Sequence, residues 1–186
     1  MMHTNIIDLP AELAELKELK YLGLNDTSIK SVPDVVAELK GLKNLYLGQT
    51  KIKVLPEKLS TLTELENLAI WETDLEELPE WIGNFKKLRG LFLGRTKGIR
   101  YLPKTIGKLK ELQYLYLDGT EIINLPDSFR ELINLKELQL AHTKIQKFPS
   151  LNPFPNLERC DLSYMTIERV PKEFINDSIK IHVDTT

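Results

Sequence analysis

Three histidines, one cysteine and one acidic run hold the side chains best suited to acid–base, nucleophilic or metal chemistry. Such chemistry needs two or three of these groups to converge, as in a nucleophile with its base or a ligand set around an ion. His3, His142 and His182 stand far apart in the chain, and Cys160 has no histidine near it in sequence. The run Glu72, Asp74, Glu76, Glu77 and Glu80 alternates with Leu75 and Leu78, which reads as a solvated face crossing a turn. No HExxH, GxSxG, GxGxxG or Walker pattern occurs, and LGQT, LGRT and LDGT read as turns rather than phosphate loops. The residues therefore point away from an enzyme, and no cofactor or metal is expected.

Aromatic residues are the stronger signal. Tyr46, Trp71, Phe92 and Tyr116 recur at intervals of 21 to 25 residues, inside segments that alternate apolar and polar positions. Eight of the ten prolines share this phase: Pro10, Pro33, Pro56, Pro79, Pro103, Pro126, Pro149 and Pro171. A threonine column runs beside them at Thr4, Thr27, Thr50, Thr73, Thr96, Thr120 and Thr143. Two phased columns over most of the chain mark a repeat.

The unit from Pro103 shows the plan. Ile106, Leu109 and Leu112 follow at a spacing of three, which suits one face of a short helix or 3₁₀ segment opened by proline. Leu115 and Leu117 have period two, the mark of a short strand with one buried face. One such unit cannot bury its own apolar face, so stacked units must share a core.

LKNLYLGQTKIKVLP, LENLAIWETDLEELP, LQYLYLDGTEIINLP and LKELQLAHTKIQKFP resemble the leucine-rich repeat family, in the 23-residue form with a threonine column. That form resembles bacterial and plant immune-receptor repeats, and the likeness runs from about Thr4 to Val183. It implies an α/β solenoid, a horseshoe of about eight 23-residue units. Short parallel strands would line the concave face and short helices or 3₁₀ segments the convex face. The expected organisation is one domain over residues 1–186: a partial unit at 1–9, seven units at 10–170 and a shortened one at 171–186.

Departures from the family pattern carry their own expectations. Threonine replaces the usual asparagine, whose side chain forms a ladder between units. GRTKGIRYLP has one extra residue, assigned to Gly98, where positive φ would make a bulge inexpensive. Pro153 and Pro155 forbid a regular helix in their unit, so an extended convex segment is expected there. Cys160 takes a core leucine position and should be buried and inert. The chain opens partway through a unit, which suggests a fragment of a longer protein or ends that pair with something.

Alternation turns Tyr46, Trp71, Phe92, Tyr114, Tyr116 and Asp118 outward on the strand face, with Arg95 in the rim beside Glu72 and His142. Gly48 and Gly94 should leave the flanks of the Trp71 ring open. Grouped outward aromatics mark a contact surface, although aromatics also suit a pleated sheet for its own sake. The family likeness adds that members usually bind by the concave side. Lysines and glutamates intersperse on the opposite face, which reads as solvated.

Composition sets the remaining bounds. Charged residues make up 28%, and 25 Lys+Arg against 27 Asp+Glu leave a net charge of −2, which disfavours nucleic acid as partner. One cysteine excludes an internal disulfide, and no apolar run reaches the ~18 residues of a membrane span. The expectation is a cytoplasmic, non-catalytic module binding a protein or peptide on its concave face, with a homodimer through an exposed terminal unit as a further option. The alternative is the sensor or substrate-recognition part of a signalling protein: a nucleotide-binding receptor, a GTPase or a ubiquitin-ligase effector.

Overall fold

A computed structural model describes residues 5–148, 154–167, 170, 172–174 and 179–183. Thr4, His3, Pro149, Pro153 and Pro171 lie outside them. Eight three-residue strands form one parallel sheet in sequence order: β1 (Tyr21–Gly23), β2 (Asn44–Tyr46), β3 (Asn67–Ala69), β4 (Gly90–Phe92), β5 (Tyr114–Tyr116), β6 (Glu137–Gln139), β7 (Arg159–Asp161) and β8 (Lys180–His182). The pairing keeps every column in register: Leu22, Leu45, Leu68, Leu91, Leu115, Leu138, Cys160 and Ile181 stand side by side as the central residues. From Leu45 to Cys160 these centres are fully buried.

Between strands the chain returns through 3₁₀ segments such as Asp34–Glu38, Glu80–Asn84 and Lys104–Lys108. The apolar spacing of three is the 3₁₀ hydrogen-bond period itself. Ile106 N–H donates to Pro103 O, Leu109 N–H to Ile106 O and Leu112 N–H to Leu109 O, each at 3.1 Å. The three donors are completely buried, so one face of the segment is both bonded and apolar. Proline occupies the cap rather than the first helical position, with φ −64° and ψ 151° at Pro103. Its locked φ presents the carbonyl that accepts the first bond.

The threonine column is buried, from Thr27 to Thr143. Most of these hydroxyls close their own turn, as when Thr50 Oγ1 donates to Leu47 O at 2.8 Å. The ladder between units is carried instead by the backbone of the preceding residue. Gln49 N–H donates to Trp71 O, Glu72 N–H to Gly94 O and Arg95 N–H to Asp118 O. Those donors sit at φ of 53° to 59°, the left-handed region. In the 24-residue unit Thr96 Oγ1 reaches across to Ile70 O at 2.8 Å.

One expectation for the irregular units needs adjustment. Gly98 lies in a turn, but its φ is not positive. Close approach requires it, because a Cβ there would stand 2.1 Å from Leu75 O. Before β7, the described residues from Phe154 onward contain no helix, consistent with Pro155. Phe154 takes the buried position of a helical-trio leucine, and its ring packs between those of Phe129 (5.9 Å) and Phe174 (5.6 Å).

Leu117 is fully buried just after β5. Leu117→Ala should lower unfolding free energy by about 2–5 kcal/mol in urea titration. A near-neutral result would place Leu117 outside the core.

Candidate functional site

The outward residues beside the buried centres form the site. Parallel pairing sets Tyr46, Ala69, Phe92, Tyr116 and Gln139 in one row across β2 to β6. Trp71, Gly94 and Asp118 follow two residues later, where the strands give way to the turns. Ala69 is buried and forms a floor between larger neighbours. Tyr46 packs on Tyr21 with ring centroids 5.0 Å apart, and Phe92 meets Tyr116 edge to face at 5.0 Å.

A cavity of about 490 Å³ opens above Ala69. Tyr46, Trp71, Phe92, Arg95, Tyr116 and Asp118 all line it, as do Asn67, Glu72 and Gly94. Tyr114 is not among the lining residues; it is half-buried one row away, between Gly90 and Glu137. The aromatic residues are half-buried rather than fully exposed, and the rings of Trp71 and Phe92 lie over Gly48 and Gly90. Trp71 departs from its expected setting. Its ring covers Gly48 so closely that a Cβ there would sit 2.4 Å from its Cε2 and Nε1. Asp118 likewise covers Gly94, with Oδ1 2.8 Å from where a Cβ would be. The glycines are therefore seats for these side chains rather than open flanks.

The rim is built on the left-handed turn residues. Glu72 receives Gln49 Nε2 at 2.9 Å and Arg95 Nη1 at 2.8 Å, so one carboxylate ties three successive units. The Arg95 bond, then the Gln49 bond, hold the Glu72 carboxyl below its ordinary value. Asp118 shifts the other way: burial raises its carboxyl, with Arg95 opposing and Asp161 reinforcing the rise. Tyr116 is pushed up to about 12, first by burial and then by its hydrogen bond to Glu137. Glu137 is itself buried on the strand face and held by Arg159 and by Gln139 Nε2 (2.9 Å). Glu72 lines the cavity from the rim position expected for it, and Asn67 joins from the preceding outward column.

Among the described residues, His142 and His182 both line a second cavity, which shares Arg95, Tyr116 and Asp118 with the aromatic one. His142 occupies a left-handed turn position and stacks on Tyr164 at 4.3 Å, while His182 is exposed on β8. Cys160 faces the core, and burial pushes its thiol up to about 12, so little thiolate forms near neutral pH. Glu80 accepts the N–H groups of Lys104 (3.0 Å) and Thr105 (3.1 Å), which ties the acidic run to the next 3₁₀ segment. Among the described residues no three His, Cys, Asp or Glu group closely enough to hold a metal ion. On the opposite face, Lys87 pairs with Glu64 at 2.6 Å and Lys110 with Glu131 at 2.7 Å. Such exposed pairs add little stability and leave a mixed-charge, solvated surface.

A family profile described as leucine-rich repeat region matches residues 3–95. The chain belongs to the leucine-rich repeat family. Internalin C2 of Listeria monocytogenes shares the fold at a TM-score of 0.86 and 20% identity, over 98% of this chain and 78% of that one. A leucine-rich repeat protein of Leptospira interrogans aligns at a TM-score of 0.66 and 26% identity, over 93% of this chain and 50% of its own. The repeat chain therefore spans about half the length of the Leptospira protein. The PEPR1–AtPEP1 structure matches at a TM-score of 0.75 and 30% identity, over 89% of this chain and 24% of that one. No curated protein matches the sequence. Leucine-rich repeats commonly mediate protein or peptide binding. Among the described residues no helix is long and apolar enough to cross a membrane.

Gly48→Ala should lift the Trp71 ring from its seat. With Trp81→Phe as background, Trp71 emission should move to longer wavelength while the melting temperature stays near that of the parent. Unchanged emission would show that the ring does not rest on Gly48.

Proposed function

We propose that this repeat protein is a non-catalytic module that binds a protein or peptide partner across its strand face. The aromatic cavity above Ala69 carries the reading. Tyr46, Trp71, Phe92 and Tyr116 offer large apolar area on a surface that the buried leucine columns do not need for folding. Aromatic anchors beside a partly desolvated pocket are the usual energetic centre of a protein interface. The rings are already packed on one another and on glycine seats, so binding would immobilise few new rotamers. PEPR1 assembles with AtPEP1, and this relative supports a partner of protein or peptide class. Mixed charge around the cavity favours contacts less sensitive to salt than those of a nucleic-acid binder.

Affinity capture from source lysate, read by mass spectrometry, tests the reading against a Trp71→Ala, Phe92→Ala double variant. The variant should melt close to wild type, because neither side chain belongs to the buried core. A protein retained by wild type should be lost or strongly depleted with the folded variant. Equal retention by both would move the binding surface to the 3₁₀ face, the turns or the solenoid ends.

A further inference from the structure

The charges lining the aromatic cavity do not balance. Glu72 and Asp118 contribute carboxylates and Arg95 the one guanidinium. Arg95 is turned to Glu72, whose second oxygen takes Gln49. Asp118 is left as a half-buried carboxylate that accepts no hydrogen bond from another described side chain. Asp161 adds negative potential from β7, while Arg95 and His142 oppose it. Burial without a bonded cation disfavours the ionised form, in line with the raised Asp118 carboxyl.

We propose that this cavity receives a cationic side chain, lysine or arginine, from the bound partner. Its methylene stem would lie on the rings of Trp71, Phe92 and Tyr116, and its charged head would meet Asp118. The inference rests on the strand-face reading and names the chemistry that the face selects. The four aromatic rings suit such an occupant twice over. Their π faces attract a cation, and their apolar area accepts the hydrocarbon stem. An aliphatic side chain of similar length would bury Asp118 further and leave it unpaired, which costs binding energy. An acidic side chain would meet Glu72, Asp118 and Asp161 with like charge.

The test uses Trp71 as reporter in the full chain carrying Trp81→Phe. N-acetyl-arginine amide and N-acetyl-lysine amide are titrated against N-acetyl-citrulline amide, a neutral near-isostere of arginine, and N-acetyl-leucine amide. Both cationic amides should perturb Trp71 emission at concentrations about tenfold below those of the neutral pair. Asp118→Asn should bring the four probes close to parity, and Asp118→Ala serves the same purpose if the asparagine variant misfolds. Neutral probes that match or exceed the cations would overturn the proposal, as would a cation preference that survives loss of the Asp118 carboxylate. Silence of Trp71 toward all four probes would overturn it too. A leucine amide that wins leaves strand-face binding standing, because that reading fails only on equal retention in the capture comparison.

Discussion

One contact, repeated from unit to unit, places every side chain on the strand face: the inward packing of each strand's central residue against its counterparts on either side. The strands are only three residues long, and the backbone bonds that continue the ladder into the turns keep the same register. A slip of one residue would bring the outward aromatics into the core and the leucines into water. Leu45, Leu68, Leu91, Leu115 and Leu138 therefore decide where Tyr46, Trp71, Phe92 and Tyr116 stand. The neighbouring strands of the ladder lie ~4.8 Å apart, so outward rings on successive strands are brought within packing distance.

The turns convert this ladder into a rim. From Asp26 to His142 each left-handed residue donates its N–H to the next unit, which fixes the turn without using its side chain. That side chain is free to vary, and it does: Asp26, Gln49, Glu72, Arg95, Gly119 and His142 occupy equivalent places. Variation at a fixed backbone position lets the chemistry of the rim change from unit to unit while the scaffold stays constant. The Gln49–Glu72–Arg95 clamp is one use of that freedom, and it leaves Asp118 as the cavity carboxylate to which no other described side chain donates a hydrogen bond.

Much of this was legible in the sequence. The proline and leucine phases give the strands, the 3₁₀ segments and the core, because each depends on a residue type with one dominant physical role. Six of the seven residues named for the site meet at one cavity for the same reason. Tyr114 escaped because alternation fixes a face but not which neighbours a ring reclines against. The recline of Trp71 over Gly48 depends on side-chain rotamers, which a repeat pattern does not encode. The left-handed column was hidden because only Gly119 in it has a residue type that advertises positive φ. At Gly98 the residue type pointed to a special position, but the requirement is space beside Leu75 O rather than backbone sign.

The central claim is that partners meet the strand face and not the 3₁₀ face. Site-specific photocrosslinking addresses it directly, with a benzophenone side chain in place of Tyr46 on the strand face or Lys87 on the opposite one. Irradiation in source lysate should yield a discrete adduct from the Tyr46 position and none from the Lys87 position. An adduct confined to the Lys87 position would contradict the account.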